Sequence, residues 1–256
     1  PLAKPLPSNL STNEVLDITR RALEDNRVDL YIQPIVNLPQ RQVQFYESFS
    51  RIRHEDGGII LPEQYIPIAT ASGLISTIDN LLLFRCVQLI RRVHRNQSSL
   101  GFFCNISRDS LTNQEFFPQF IDFLEHNREL AGVLNFEFAQ NDLAFPEVDA
   151  NLGQLAALGF SFSIDRVKSL SFDIPNLARR SVRFVKVSAD ILLSERHQTR
   201  APVHINDLSD AMKRAEIALI AEKIETESTV IDLMERNIGY GQGYLFGEPR
   251  RHRSEF

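Results

Sequence analysis

Short apolar runs recur along the chain, and seven of them end on, or just past, one polar residue. Glu47 sits inside QVQFYESF, Asn105 closes LGFFCN and Glu137 closes VLNFE. Asp165 closes FSFSID, Lys186 sits in VRFVKV, Glu222 closes IALIAE and Gln242 falls in IGYGQGYLF. Stretches with helical periodicity separate most of these runs. Strands alternating with helices predict an α/β fold with a parallel sheet. Eight such units in ~250 residues close into a (β/α)8 TIM-like barrel. Catalytic and binding groups of such barrels come from the C-terminal ends of several strands. One polar residue per strand end therefore has the layout of a functional ring.

Local signals place the elements. Ser11 with Glu14 forms a capping-box pattern, which predicts a helix from there to about residue 26. Residues 29–36 and 42–53 read as strands joined by the short loop NLPQR. So short a connection makes an antiparallel hairpin, because parallel neighbours need a long crossover. The first strand of the barrel is thus expected to run in reverse. A turn over 54–58 precedes a short helix over 62–72 and a long one over 76–95. The remaining strands are expected near 100–105, 133–138, 160–165, 182–187, 217–222 and 239–244. The polar segment 195–206, which holds Pro202, reads as a mobile loop.

Composition narrows the function classes. The 256 residues are 43% hydrophobic and 24% charged, ordinary for a globular chain. One barrel domain is expected over 11–249, after a proline-rich linker over 1–10 and before a basic, solvated tail over 250–256. The opening PLAKPLPSNL, without an initiating Met, reads as the lead into a domain of a longer protein. A net charge of −5 gives no reason to expect DNA or RNA as a partner. No apolar run approaches the ~18 residues of a membrane span, so this domain is not expected to contact a membrane. Cys86 and Cys104, the two cysteines, read as buried free thiols in a reducing cytoplasm. The histidines show no HExxH or paired zinc spacing, which argues against a zinc enzyme.

Glu47, Asn105, Glu137, Asp165 and Glu222 are hard oxygen donors of the kind that suit Mg²⁺, Mn²⁺ or Ca²⁺. Lys186 among them suits a phosphate or an attacking water. Carboxylates, an amide and a lysine at a barrel mouth point to metal-assisted phosphodiester chemistry. The alternative for each residue singly is a polar strand end placed for solubility.

The motifs QPIV (33–36), YESFSR (46–51), NIS (105–107), FEF (136–138), SID (163–165), VKV (185–187), AEKIET (221–226) and QGYLF (242–246) resemble the EAL domain family. The resemblance runs from about residue 28 to Pro249. Members of that family are cyclic di-GMP phosphodiesterases, or degenerate relatives that bind the dinucleotide without cutting it. The resemblance implies a barrel with a reversed first strand, in agreement with the hairpin. It implies metal ligation by Glu47, Asn105, Glu137 and Asp165, although the signature here reads Glu-Ser-Phe. Lys186 and Glu222 match the pair that holds or activates the attacking water, and Gln242 lies beside it. Gln33, Arg51, Asp79 and Glu225 match positions that hold guanine or phosphate. Phe49 replaces a leucine that packs against a base.

The departures decide the reading. Where the family carries paired aspartates after the fifth strand, this chain reads Asp165-Arg166. A two-metal centre has its ions ~3.5–4 Å apart and needs carboxylates to offset their repulsion. A unit charge pair at ~4 Å is worth roughly 4 kcal/mol at an effective dielectric of 20, so an arginine there opposes a divalent ion. VKSLSF replaces the glycines that normally follow, and Gln140 stands where an acidic residue pins that loop. Arg166 on a shifted register, as a surface residue, is the alternative.

These changes predict a catalytically inactive barrel that acts as a cyclic di-GMP receptor and protein-docking module. No metal and no cofactor are then required; Mg²⁺ or Mn²⁺ matters only for residual activity. Glu47 and Arg51 share one strand face roughly 13 Å apart, a fit spacing for two contacts on an extended dinucleotide. Ligand contacts are expected from Gln33, Glu47, Phe49, Arg51, Asp79, Arg166, Lys186, Glu225 and Gln242. Other readings stay open. In one, Arg51 pairs with an internal carboxylate and Arg166 with Glu137 or Asp165, sealing the mouth and leaving a ligand-free scaffold. Another is a slow phosphodiesterase. The hairpin and the degenerate loop are also similar to those of flagellar-positioning EAL regulators of alphaproteobacteria. That narrower resemblance implies a membrane-anchored parent protein with this domain in the cytoplasm and an unidentified protein partner.

Overall fold

A computed structural model describes residues 4–7, 9–95, 99–194 and 205–252. The chain opens with α1 (Thr12–Glu24), where Ser11 and Glu14 form the reciprocal cap expected of them. The hairpin follows as β1 (Val28–Asn37) and β2 (Val43–Arg53), then a short strand β3 (Ile59–Ile60), α2 (Pro62–Ala71) and α3 (Ile75–His94). Next come β4 (Gly101–Asn105), α4 (Arg108–Thr112), α5 (Phe116–Glu125), β5 (Leu134–Ala139) and α6 (Pro146–Ala157). The second half adds β6 (Ser161–Asp165), α7 (Ile174–Arg179), β7 (Val182–Ser188), α8 (Ala189–Leu193) and α9 (Ile205–Arg214). It ends with β8 (Ala218–Glu222), α10 (Glu227–Met234), β9 (Tyr240–Gln242) and β10 (Arg250–Arg251).

The sheet closes on itself. Its order runs β1-β9-β8-β7-β6-β5-β4-β2, and β1 pairs β2 again. β1 is antiparallel to both β2 and β9, whereas the pairs from β2–β4 round to β8–β9 are parallel. This is the (β/α)8 barrel with a reversed first strand, and a connection of five residues, 38–42, explains the reversal.

Two short additions lay beyond the sequence pattern. β3 pairs with β2, and Lys4 and Leu6 bond to Ile59, so the lead-in segment is docked along it. β10 pairs with Tyr31 and Ile32 of β1, and Arg251 donates to Asp29 at 2.9 Å. Part of the basic tail is therefore paired while still exposed. The segment 195–206, read as a loop, lies outside the described residues up to 204, and α9 begins at Ile205.

Helices pack on the barrel through a continuous apolar layer that includes Leu82, Phe136, Phe162, Val185 and Leu233. Inside the barrel the period-two alternation of the strands builds layers. Phe103, Ile35 and Ile220 are buried there, with Phe45, Phe184 and Tyr240 against them. Phe45 stands edge-on to Phe103, Phe184 and Tyr240 at centroid distances of 5.4, 5.2 and 5.6 Å. This aromatic floor fills the middle of the barrel. Two positions further along the same strands are Glu47, Asn105, Lys186, Glu222 and Gln242. The polar ring thus rests on rings, not on water. Among the described residues no helix is long and apolar enough to cross a membrane.

Candidate functional site

Lys186 anchors the site. It projects inward from β7, is fully buried, and its ammonium lies 4.9 Å from the centroid of Phe103. It donates to Glu47 Oε2 at 2.6 Å and to Glu137 Oε1 at 2.9 Å. Both carboxylates are buried with it. Gln242 Nε2 donates to Glu47 Oε2 at 2.8 Å and to Gln33 Oε1 at 3.0 Å. Asn105 Nδ2 donates to Glu47 Oε1 at 3.2 Å, and Ser163 Oγ to Glu137 Oε2 at 2.7 Å. Gln33 Nε2 reaches the Gly247 carbonyl at 3.0 Å. Gln33 lies directly across from Glu47 in the β1–β2 register, and Asn105 across from Glu137 in β4–β5.

The electrostatics follow from burial. Burial opposes the Lys186 charge, but the carboxylates of Glu137, Glu47, Glu222 and Asp165 outweigh it and hold its pKa above the ordinary lysine value. Burial likewise opposes the Glu47 charge; Lys186, with the bonds from Gln242 and Asn105, prevails and keeps that carboxyl below its usual range. Glu137 is left with the opposite outcome. Burial raises its pKa well above the usual value, Lys186 offsets only part of this, and the Glu47 charge adds to it. Lys186 thus favours the charged form of Glu47, whereas burial and the Glu47 charge favour the protonated form of Glu137. Burial and the nearby Asp165 push Glu222 up to about 8, against the pull of Lys186.

Above this layer opens a cavity of about 440 Å³. Glu47, Phe49, Arg51, Asp79, Asn105, Glu137, Asp165 and Arg166 all line it, so most of the residues singled out in the sequence converge. Gln33, Lys186 and Gln242 lie buried beneath, and Glu222 is half-buried beside them. Glu225 is exposed beyond β8 and does not line this cavity.

Neither arginine seals the mouth. The Arg51 guanidinium lies 5.4 Å from the Tyr31 ring centroid and 5.6 Å from that of Phe49, and bonds the Ser50 carbonyl at 2.9 Å. Among the described residues it makes no ion pair. Arg166 follows the last residue of β6, with Asp165 in register opposite Ala139. Its backbone is left-handed at φ 54 and its N–H donates to Asp165 Oδ1, while its side chain is exposed. The oxygens of Glu137 are taken by Lys186 and Ser163, not by Arg166.

The donors do not fit a two-metal centre. Glu47 and Glu137 turn their oxygens to the Lys186 ammonium, Asn105 turns its NH₂ group toward Glu47, and Arg166 stands beside Asp165. Among the described residues no group of three or more His, Cys, Asp or Glu side chains is placed to hold an ion.

Asp79 has a role the motif did not show. Buried on α3, it accepts from Ser107 N at 2.8 Å and Ser110 Oγ at 2.6 Å, so it pins the start of α4 to the mouth. Burial raises its pKa, against those bonds. Ser163 and Arg108 went unread in the sequence. Ser163 was readable as the inward neighbour of Asp165 two positions back; Arg108 carried no signal. Gln140 opens a helical turn after β5 and does not reach the cavity, but Asp142 on the same turn does. Cys86 and Cys104 are buried and free in the layer between α3 and the barrel, with Ser48 Oγ 3.3 Å from Cys86 Sγ.

The sequence matches the EAL domain family over residues 17–249. It is 27% identical over 243 residues to the cyclic di-GMP phosphodiesterase NbdA of Pseudomonas aeruginosa, across 90% of this chain and 30% of that protein. To the bifunctional diguanylate cyclase/cyclic di-GMP phosphodiesterase MucR of the same organism it is 25% identical, across 92% of this chain and 35% of the relative. The chain spans about a third of the length of these relatives. Among solved structures, a PaMucR phosphodiesterase in complex with c-di-GMP superposes with a TM-score of 0.77 at 24% identity, covering 92% of this chain and 97% of that one. The Xanthomonas citri FimX EAL domain in complex with c-di-GMP gives 0.78 at 17% identity, covering 93% and 94%.

Proposed function

The chain belongs to the EAL domain family, and we propose that it is a cyclic di-GMP receptor that does not cut its ligand. The observation that carries this reading is Arg166, exposed at the cavity lip on the residue where the family's second aspartate is expected. A cation there opposes a second divalent ion. The open cavity supports ligand capture. Arg51 faces it from a two-ring platform, with a planar fork suited to phosphate or a guanine edge. Solved relatives that bind c-di-GMP share the fold. Those relatives named as phosphodiesterases are the reason to test turnover directly.

The proposal extends to docking. The domain then passes its ligand state to an unidentified protein, in the flagellar-positioning setting suggested by the 38–42 connection and the altered loop after Arg166. Phe84, exposed on α3 and edge-on to Phe123 at 5.2 Å, supports a contact on that face. The test of the catalytic half is incubation with cyclic di-GMP and Mg²⁺ or Mn²⁺, followed by chromatography. Intact dinucleotide is expected. Linear product formed near the median enzyme rate of about 10 s⁻¹ would overturn it.

A further inference from the structure

We propose that Arg108 and Arg166 together form an anion subsite for one phosphodiester of the cyclic dinucleotide, so that side chains alone balance its charge. This rests on the receptor reading above. Three elements bring the subsite together. Arg108 begins α4, Asp142 lies in the turn after β5, and Arg166 follows β6; all line the same cavity.

Arg108 is held in place with donors left over. The Arg108 guanidinium lies 4.5 Å from the Phe145 ring centroid, so an aromatic face fixes its plane. Asp79 fixes its backbone, through the bonds to Ser107 N and Ser110 Oγ. Its ion pair with Asp109 is long, 3.8 Å, between side chains 44% and 36% exposed, so it engages the fork only weakly. Arg166 makes no side-chain ion pair among the described residues. Its left-handed backbone and the buried Val167 beside it set the direction of the side chain.

Asp142 lines the same cavity as both arginines. Burial raises that carboxyl's pKa, while Arg108 and Arg166 each pull it down. A phosphodiester brings a unit charge on two non-bridging oxygens, which two guanidinium forks can grip from either side. The position suits the ligand. β2, which carries Arg51, and β6, which Arg166 directly follows, are separated by β4 and β5. At one strand spacing per step they stand roughly 14 Å apart along the sheet. Two cationic walls thus bound one cavity, and the ligand carries two phosphates. The acidic mouth otherwise repels it.

Calorimetric titration with cyclic di-GMP in a chelating buffer, at low and high salt, tests the subsite. Arg108→Ala and Arg166→Ala are each expected to weaken binding about three- to tenfold. The double variant should bind more weakly still and respond less to salt than the wild type. Asp142→Asn should tighten binding, a change of sign that a purely structural role would not give. Arg108→Lys should recover part of the affinity, since it keeps the charge but loses the fork. Thermal melts accompany each variant; one that melts early is judged by its Lys counterpart. A double variant with wild-type affinity and salt response overturns the subsite and leaves the receptor standing. A wild type that does not bind removes both.

Discussion

Lys186 Nζ lies 2.6 Å from Glu47 Oε2 in a buried layer that rests on Phe103 beneath the cavity. A buried ion pair adds little over an apolar pair of the same volume, but removing one partner leaves an uncompensated charge. Lys186→Met is therefore expected to destabilise the domain by about 3–5 kcal/mol. Adding Glu47→Gln should recover part of that loss, because the stranded carboxylate is gone. Urea unfolding of the single and double variants measures the coupling. Additive losses would mean that the pair does not act as a unit.

Glu222 should make stability depend on pH. Its folded pKa is raised from 4.5 to about 8 by burial and by Asp165, with Lys186, Glu47 and Lys223 also facing it. Between these values the native state holds a proton that the unfolded chain has released, so ν_U − ν_N is negative and stability falls as pH rises. The loss runs from about pH 4.5 through about pH 8 and then levels off. One such proton gives a slope of at most ~1.4 kcal/mol per pH unit. Melting the wild type and Glu222→Gln from pH 5 to 8.5, with chelator present, should show a steeper decline in the wild type. Parallel curves would remove Glu222 as the source.

Much of this was legible in the sequence, and the reason is the period of two. FYE (45–47), LGFFCN and VRFVKV each place an aromatic residue two positions before a polar one, and that spacing is the floor and the ring. The short 38–42 connection fixed the direction of β1, and the motifs fixed the family. Burial of Lys186 was not legible, because a lysine at a strand end looks like a solvated group until the opposing Glu47 and Glu137 are in place. The pairing of Arg108 with Phe145 joins two loops 37 residues apart and has no local signature. β10 pairs with β1 through its backbone and through the Arg251–Asp29 bond, neither of which a run of arginines advertises.

Gly243, in the QGYLF motif, has no room for a side chain. A Cβ there would fall within the backbone of Ile224, whose N–H and C=O bond to Gln242 and Leu245. Gly243→Ala is expected to cost about 1–3 kcal/mol or more, the usual range for overpacking, and to displace Gln242 from Glu47. Wild-type stability in a denaturant titration would show that this loop yields without cost.

Arg51→Ala removes a planar cation from the cavity wall. A charge-assisted contact is typically worth about 1.5–3 kcal/mol, so affinity for cyclic di-GMP should fall roughly 10- to 150-fold. The fold should be unaffected, since Arg51 makes no ion pair among the described residues. An unchanged dissociation constant would place the ligand elsewhere.

Arg166→Asp alone should not produce turnover. Gln140 and the VKSLSF loop also depart from the family pattern, and Lys186 still holds Glu47 and Glu137. Chromatography of the variant incubated with dinucleotide and Mn²⁺ should return intact ligand. Rapid hydrolysis would mean that one residue alone had silenced the site.

The most direct test of the central claim is calorimetric titration of the wild type with cyclic di-GMP, in chelator and again in Mg²⁺, with the nucleotide recovered afterwards. The account predicts binding heat in both buffers and intact cyclic dinucleotide at the end. Linear dinucleotide in the recovered sample, or no heat at high ligand concentration, would contradict it.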